Sequence, residues 1–131
     1  MSQPPYKTFR CLLISPEQTV LDCQATFAVL PAHDGQVGIA VNHAPLVCKL
    51  GIGAIRVDAA DGPRYCYLEG GFARVRNNEL TVLTPTAIPA EQIDRAAAQQ
   101  HLEQAQAMPL ADPARADALA RATTQLALTE T

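Results

Sequence analysis

The segment Gly35-Gln36-Val37-Gly38-Ile39-Ala40-Val41-Asn42-His43-Ala44-Pro45-Leu46 is the most informative stretch of this chain. Gly35 and Gly38 permit a positive φ or a close backbone approach, because glycine has no Cβ. Pro45 fixes its own φ and pushes Ala44 out of the helical region. The segment is therefore predicted to be a tightly shaped turn between strands, which presents a loop rather than performing chemistry.

Length and composition limit what the protein can be. The chain has 131 residues, enough for one ordinary domain and a small appendage, and its apolar fraction of 48% is typical of a globular protein. Its net charge is −3 and lysine and arginine form no cluster, which argues against nucleic acid as a partner. No run approaches the ~20 apolar residues that cross a bilayer, and the N-terminus lacks a signal-peptide pattern. We therefore expect a soluble, cytosolic protein.

The composition changes near residue 88. All aromatic residues and all seven glycines lie within the first 72 residues, whereas alanine dominates from Ile88 onward. Residues 1–87 hold seven basic and seven acidic side chains, and residues 88–131 hold three basic and six acidic ones, so the net charge belongs to the tail. Two units are predicted: a β domain over residues 1–87 and a helical unit over residues 88–131.

The first unit consists of short apolar runs separated by turn residues, without an intervening helical pattern. This spacing predicts a mainly β fold, either a β-sandwich or a flattened barrel. Pro31 is expected to end one of the strands, and Asp61-Gly62-Pro63 to form a turn. The predicted strands are Phe9–Ile14, Thr19–Asp22, Ala25–Leu30, Leu46–Leu50, Ala54–Asp58, Arg64–Glu69, Phe72–Arg76 and Glu79–Thr84.

The clearest hairpin is centred on Asn77-Asn78, because asparagine tolerates a positive φ and suits a two-residue primed turn. That turn would place Val75 opposite Leu80 and Ala73 opposite Val82, facing the core, with Arg76 and Glu79 paired in water. Upstream, Glu69-Gly70-Gly71-Phe72 allows two interpretations. It is either a strand-ending turn that needs a positive φ or a close backbone approach to another protein.

The second unit predicts two helices. Pro89-Ala90-Glu91-Gln92 is expected to open the first helix, with Glu91 and Arg95 forming an i, i+4 ion pair. Asp112-Pro113 places an N-cap residue before a proline and predicts the start of the second helix. Both helices are rich in alanine and short enough to be marginal in water alone. They should pack as an antiparallel hairpin that detaches easily.

Chemistry-bearing clusters are sparse. His33, Asp34 and His43 lie on one segment and suggest a metal site, but nothing supplies the remaining ligands. The four cysteines stand singly in apolar runs and are expected to be free thiols. No nucleophile motif or phosphate-binding loop is present, so no catalytic residue is assigned. Two alternatives stay open: a free-standing β-sandwich metal-binding enzyme and a regulatory ligand-binding module.

Several motifs together resemble the epsilon subunit of F-type ATP synthases. The matching pieces are Phe9–Asp22, Gly35–Leu46, Leu50–Gly53, Tyr67–Phe72, Leu80–Ala87 and Ile93-Asp94, in this order along nearly the whole chain. The resemblance implies a sandwich of about ten strands followed by an antiparallel α-helical hairpin. It also implies a non-catalytic subunit without a cofactor, located in the central stalk at the cytoplasmic face of the bacterial inner membrane. Such a subunit couples proton or sodium flow to ATP synthesis and meets the membrane only through the complex.

The resemblance also implies partners and contact residues. Gln36, Val37, Gly38 and Ile39, with His43, would face the ring of c subunits. Gln36 departs from the acidic residue often found at its position, so a charge is lost there. The gamma subunit is the second expected partner. The residues of this chain that are candidates for contact with gamma, besides the alanine-rich hairpin, are Tyr65, Tyr67, Glu69, Gly70 and Phe72.

The tail departs from the family pattern at two points. Some bacterial members bind ATP through Ile/Leu-Asp-x-x-Arg-Ala; Ile93 and Asp94 match, but Ala97 replaces the arginine and Arg95 points to another helix face. Nucleotide binding is therefore not expected. Inhibitory members carry several basic residues in the second helix, where this chain has only two arginines. Contact of the helices with the alpha and beta subunits should thus give at most weak inhibition of ATP hydrolysis.

Overall fold

A computed structural model describes residues 7–130, and within them the chain is mainly β with two α-helices at its C-terminal end. The fold class predicted from the sequence is confirmed, with nine strands in the described residues. The strands are β1 (Phe9–Ile14), β2 (Thr19–Ala32), β3 (Gly35–Ala40), β4 (Leu46–Lys49), β5 (Ile52–Ala59), β6 (Gly62–Glu69), β7 (Phe72–Arg76), β8 (Glu79–Leu83) and β9 (Ala87–Pro89). A 3₁₀ turn (Ala90–Gln92), α1 (Arg95–Ala107) and α2 (Arg115–Leu128) follow.

A single long strand, β2, joins the two halves of the sandwich. Its first half pairs with β1, and the first sheet continues through β8 and β7 to β4. Its second half pairs with β3 and β5, and the second sheet continues through β6 to β9. The register between β2 and β5 shifts between Ala25 and Phe27, as a β-bulge does. Because a bulge bends its strand, β2 turns from one sheet into the other at this point.

The core lies between the two sheets and is built from alternate residues of the strands. Its largest fully buried members are Leu13, Leu30, Ile39, Leu50, Ile55, Leu68 and Leu80. The four cysteines are free thiols, of which Cys11 and Cys66 are buried. Burial raises the pKa of Cys11 to about 12 and that of Cys66 to about 11. A raised pKa leaves little thiolate at neutral pH, so these two residues act as small core hydrophobes.

The hairpin of β7 and β8 has the register that the sequence predicts. Ala73 pairs with Val82 and Val75 with Leu80, and all four side chains are buried. Asn77 and Asn78 both adopt positive φ, 53° and 59°. Arg76 does lie opposite Glu79, but the Glu79 carboxylate approaches the guanidinium of Arg10 at 3.6 Å instead.

The prediction that Pro31 ends a strand is wrong, because β2 runs through it to Ala32. The Pro31 carbonyl accepts a hydrogen bond from the Gly51 N–H at 2.9 Å, so it points away from β3. The backbone nitrogen of Pro31 points the same way as its carbonyl, away from β3. The N–H that proline lacks therefore removes no hydrogen bond between β2 and β3. Gly53 makes room for the ring: a Cβ there would stand 2.6 Å from the Pro31 Cβ.

The interpretation of Gly35–Leu46 as one shaped turn is also wrong in its first half. Gly35–Ala40 is the regular strand β3, and its alternation places Val37 and Ile39 toward the core. Only the following corner, which contains Asn42 with a φ of 60°, has turn geometry. Gly38 lies on the outward face and has no side chain, so the sequence does not show the alternation of polar and apolar side chains that is typical of a strand.

The helices begin later than predicted. Ala90–Gln92 forms only a 3₁₀ turn, and α1 starts after Asp94, whose Oδ1 accepts from the N–H groups of Ala96 and Ala97 at 2.9 and 3.3 Å. The predicted Glu91–Arg95 pair is therefore absent, and Arg95 pairs with Glu130 at 3.4 Å. The Asp112 Oδ1 accepts from the Ala114 N–H at 2.9 Å and organises the turn before α2.

Small residues hold the two helices together. The buried residues of α1 are Ala98 and Ala105, and those of α2 are Ala122 and Leu128. At the end remote from the loop, Arg95 at the start of α1 meets Glu130 after α2, as an antiparallel hairpin requires. The hairpin lies on the outer side of the second sheet, where α2 packs against β5 and β6.

Candidate functional site

The β2–β3 arm carries most of the residues expected to face the c ring. Gln36 and Gly38 are exposed, Val37 is half-buried, and Ile39 is a core residue with 1% of its surface exposed. Because successive strand residues point to opposite faces, these neighbours cannot all serve one surface. The accessible part of this set is Gln36 and Gly38, on the outward face of β3, which within residues 7–130 pairs with β2 alone.

An aromatic ring lies over Gly38. A Cβ built on this glycine would stand 2.7 Å from Cζ of Phe27, whose side chain remains 39% exposed. Gly38 is not among the glycines with positive φ. Of the two reasons that the sequence offered for this glycine, the close approach is the one that the structure contains.

The corner that holds His43 is fixed by backbone and amide hydrogen bonds. The Asn42 N–H donates to Oδ1 of Asn78 at 2.8 Å, and the Asn78 amide donates to the Thr8 carbonyl at 2.8 Å. The His43 N–H donates to the Ala40 carbonyl at 3.2 Å, and Nδ1 of its ring lies 2.7 Å from the Ala44 carbonyl. The half-buried His43 ring therefore orders the corner itself, in the tautomer that carries a proton on Nδ1.

His33 and Asp34 lie at the other end of β3 from His43. They form the turn between β2 and β3, whereas His43 follows the far end of the strand. Six strand residues span about 20 Å at 3.3 Å per residue, so the three side chains cannot bind one ion. Within residues 7–130, no group of three or more His, Cys, Asp or Glu side chains is arranged to hold a metal. The geometry thus removes the basis of the metal-enzyme alternative.

The residues proposed for gamma contact divide between the two sheets. Tyr65, Tyr67 and Glu69 alternate along the outer face of β6, on the side that the hairpin covers. Tyr67 is fully buried there, outside the sandwich core, whereas Phe72 is 57% exposed on the first sheet. Hence Tyr67 cannot meet a partner while the hairpin is docked.

Gly70 and Gly71 form the turn that leads from β6 to β7. Both have positive φ, 77° and 104°, as the first of the two interpretations, a strand-ending turn, requires. A Cβ on Gly71 would stand 2.1 Å from the Leu83 carbonyl oxygen, so the close approach is to the chain itself. Thr84 is buried beside the turn, and its hydroxyl lies 2.8 Å from the Gly70 carbonyl oxygen.

The contact between α2 and β6 combines one ion pair with a poorly satisfied polar group. The Arg121 guanidinium donates to the Glu69 carboxylate. Burial raises the pKa of the adjacent Tyr67 phenol, with Glu69 raising it further. Among the described residues, no hydrogen bond of ordinary geometry reaches the Tyr67 hydroxyl. A groove of about 440 Å³ remains between the helices and Glu69. In the docked state, α2 is thus held on β6 by the Arg121–Glu69 ion pair and by the burial of Tyr67. The easy detachment of the hairpin expected from the sequence stays a prediction.

The two residues that match a nucleotide-binding pattern have local structural roles. Asp94 caps α1 through Oδ1, as described above. Ile93 is half-buried and lines a groove of about 680 Å³ at the tips of the helices, together with Arg64, Tyr65, Cys66 and Arg95.

Comparison with known proteins identifies the family. The family model for the β-sandwich domain of the ATP synthase delta/epsilon chain matches residues 8–90. The ATP synthase epsilon chain of Rhodopirellula baltica is 38% identical over 109 residues, which cover 83% of this chain and 85% of that protein. The chloroplastic epsilon chain of Guillardia theta is 45% identical over 92 residues, 70% of each chain. The chain belongs to the ATP synthase epsilon-chain family.

Solved structures agree with this epsilon-chain fold. A chain of the Euglena gracilis mitochondrial ATP synthase, in a structure of OSCP, F1 and the c ring, matches with a TM-score of 0.75 at 22% identity. The match covers 99% of this chain and 82% of that one. As an epsilon chain, the protein is a non-catalytic subunit of the synthase. Within residues 7–130, no helix is long and apolar enough to cross a membrane.

Proposed function

We propose that this epsilon chain is the central-stalk rotor subunit of an F-type ATP synthase, where it couples ion flow through the c ring to ATP synthesis. The observation that carries the proposal is the similarity to the Rhodopirellula baltica epsilon chain, which extends over 85% of that protein and is longer than the sandwich match alone. Gamma and the c ring are the proposed partners. The proposed location is the cytoplasmic face of a bacterial inner membrane, reached only through the complex.

The β2–β3 arm is the proposed c-ring contact. Gln36 is exposed next to the β2–β3 turn, and Gly38 is exposed on the same face of β3, where the Phe27 ring lies over it. An amide at position 36 offers hydrogen bonds without charge, so contact with the ring would depend little on salt. His43 supports the arm from its far end by ordering the corner. Val37 and Ile39 contribute by packing the arm onto the core.

The helical hairpin is proposed to exert at most weak inhibition of ATP hydrolysis by contacts with the alpha and beta subunits. The two arginines of α2 are both engaged inside the chain: the Arg115 Nε donates to the Met108 carbonyl at 3.2 Å, and Arg121 pairs with Glu69. Each guanidinium therefore already makes one contact inside the chain through its Nε.

Proton pumping by reconstituted enzyme tests the ring contact. We expect Gln36→Ala combined with His43→Ala to reduce ATP-driven proton pumping in membrane vesicles by about threefold or more, equivalent to roughly 0.7 kcal/mol of coupling interaction. ATP hydrolysis by the same vesicles should stay within about twofold, since no catalytic group is touched. Gln99→Ala is the matched control, because Gln99 is also exposed but lies on α1. Normal pumping by the double variant would disprove the assignment of the arm to the ring.

A further inference from the structure

Two of the cysteines lie directly opposite each other on neighbouring strands. Cys11 of β1 pairs with Cys23 of β2 in the antiparallel ladder. Residues in register on neighbouring strands point to the same side of a sheet. Both thiols accordingly face the core, where Cys11 is fully buried and the half-buried Cys23 packs against the same cluster. The fold therefore brings two thiols together that are distant in the sequence.

Backbone hydrogen bonds fix the kind of pair that these cysteines form. The Arg10 N–H donates to the Asn78 carbonyl at 3.3 Å, so the polar backbone groups of Arg10 point toward β8 and away from β2. Those of Cys11 point toward β2, because successive strand residues direct their N–H and C=O groups to opposite sides. Cys11 and Cys23 thus form a hydrogen-bonded pair, with Cα atoms about 5.5 Å apart. Disulfides form at Cα separations of about 4.4–6.8 Å, so this pair is within reach of a bond.

A disulfide at this position would be strained. Facing residues of a sheet have Cβ atoms about 4.5–5.5 Å apart, whereas a relaxed disulfide needs about 3.8 Å, so the strands must approach by roughly 1 Å. The pair lies between two irregularities, a register shift at Leu13/Ile14 and the β-bulge at Ala25/Phe27. A ladder that is interrupted on both sides leaves the strands room to make this shift. Strain makes a disulfide easier to reduce, which is typical of reversible bonds rather than of structural ones.

The other two cysteines are less well placed to bond with this pair. Burial raises the pKa of Cys11, and the nearby thiols of Cys23 and Cys66 raise it further. Cys66 lies on β6 of the second sheet, however, and packed sheets are about 10 Å apart. Cysteines whose Cα atoms are more than about 7 Å apart cannot be bridged without backbone movement. Cys48 lies opposite Ala73. The register therefore favours the bond between Cys11 and Cys23.

We propose that Cys11 and Cys23 are a redox-sensitive pair, which hydrogen peroxide converts into a reversible disulfide between β1 and β2. Cys23 is the thiol that a small oxidant reaches, because Cys11 is fully buried. The Cys23 thiolate attacks one peroxide oxygen, the O–O bond breaks, and the departing hydroxide takes up the thiol proton as water, which leaves a sulfenic acid. Cys11 then loses its proton, its Sγ attacks the Cys23 Sγ, and hydroxide leaves with that proton as a second water. Two thiols are thereby oxidised to one disulfide, and one peroxide is reduced to two waters.

The surroundings of Cys23 make this reaction slow. Burial raises the pKa of Cys23, while the Arg64 guanidinium opposes the rise. The thiol is therefore mostly protonated at neutral pH, and the thiolate is the nucleophile. The pair responds to lasting rather than brief oxidation. The bond ties β1 to the first half of β2, just before the bulge at which β2 crosses into the second sheet.

Peroxide treatment of the full-length chain, followed by alkylation of the remaining thiols and mass spectrometry without reduction, tests the proposal. Trypsin together with a protease that cuts after Glu17 separates Cys11 from Cys23, so a bond appears as two linked peptides. We expect two of the four thiols to be lost, with Cys11 linked to Cys23. Excess reduced glutathione should restore both thiols without unfolding of the chain, because the bond is strained. Circular dichroism before and after treatment checks that the fold is retained.

Two serine variants make the assignment specific. Cys23→Ser should form no disulfide under the same conditions. Cys48→Ser is the matched control, because Cys48 is also half-buried but lies opposite Ala73, and it should form the same bond as the wild-type chain. A bond mapped to Cys48 or Cys66, oxidation of Cys23 to a sulfinic acid without a bond, or four thiols that all survive treatment would each overturn the proposal. Formation of this bond requires no partner, so its failure leaves the proposed function untouched.

Discussion

At the level of single residues, the glycines of this chain serve different purposes although their sequence contexts look alike. Gly38 accommodates the tip of the Phe27 ring, a side chain on the surface that can move. Gly71 combines a φ of 104° with an approach to the Leu83 backbone that no Cβ tolerates. Gly62 has a φ of 121° but open space around it. The sequence indicates that such positions need glycine. Only the structure distinguishes a glycine with an unfavourable φ from one whose Cβ would clash with a neighbouring group.

Replacing two of these glycines by alanine should separate strain from crowding. We expect Gly62→Ala to destabilise the chain by about 1 kcal/mol, because only an unfavourable φ is imposed. Gly71→Ala should cost about 3 kcal/mol or more. The added Cβ would also clash with the carbonyl oxygen of Leu83, which the end of β8 holds in place. Urea unfolding of the full chain measures both free energies of unfolding. Equal costs for the two variants would show that the turn at Gly71 relaxes freely.

At the level of elements, the sequence predicted best where local signals and core alternation agreed. Asn77-Asn78 set both the turn and the register of β7 with β8, since both asparagines take the positive φ that a primed turn requires. The end of β2 was placed too early in the prediction, because the fit of Pro31 depends on Gly51 and Gly53, which are distant in sequence. The start of α1 was placed too early because Pro89 looked like a first helical residue, whereas it pairs with Cys66 in β9.

The candidate site was less accessible to sequence reasoning than the fold. The resemblance placed Gln36, Gly38 and Ile39 together, but strand alternation puts Ile39 in the core. The ion pair between Arg121 and Glu69 joins residues 52 positions apart, and no local pattern indicates it. The side chains that share the outer side of the first sheet follow from cross-strand register among β4, β7, β8 and β1, one pair of which is parallel. Long-range pairing of this kind is not encoded in any local window.

The pairing of β9 with β6 predicts how truncation of the chain changes its stability. A chain ending at Ile93 keeps β9 and should still unfold cooperatively, because the sandwich core is complete without the helices. It should lose about 2–3 kcal/mol from exposure of Tyr67 and the adjoining surface. A chain ending at Thr86 also loses the pairing of β9 with Cys66, Tyr67 and Leu68 and should be at least ~1 kcal/mol less stable again.

Urea unfolding followed by far-UV circular dichroism compares the two truncated chains with the full chain. Absence of a cooperative transition in the chain ending at Ile93 would mean that the sandwich depends on its hairpin. Equal midpoints for the two truncations would mean that β9 contributes nothing to the second sheet.

At the level of the whole molecule, charge is segregated between its parts. Among the described residues, the outer side of the first sheet displays three cations without an ion-pair partner, Lys49, Arg74 and Arg76. Residues 88–131 hold six acidic and three basic side chains. The hairpin lies against the second sheet, so the acidic unit and the basic face occupy opposite sides of the sandwich.

The same segregation predicts how the tail affects ATP hydrolysis. Synthase complexes containing the chain that ends at Ile93 should hydrolyse ATP within about twofold of complexes with the full chain, a change of roughly 0.4 kcal/mol in the barrier. The reason is electrostatic, because an acidic tail is repelled by an acidic partner surface. The two arginines of α2 would also have to leave Glu69 and the Met108 carbonyl before they could reach it. Hydrolysis rates at equal ionic strength, with matched subunit content, measure the effect. An order-of-magnitude activation on truncation would mean that the helices block rotation by shape and apolar contact, which charge does not govern.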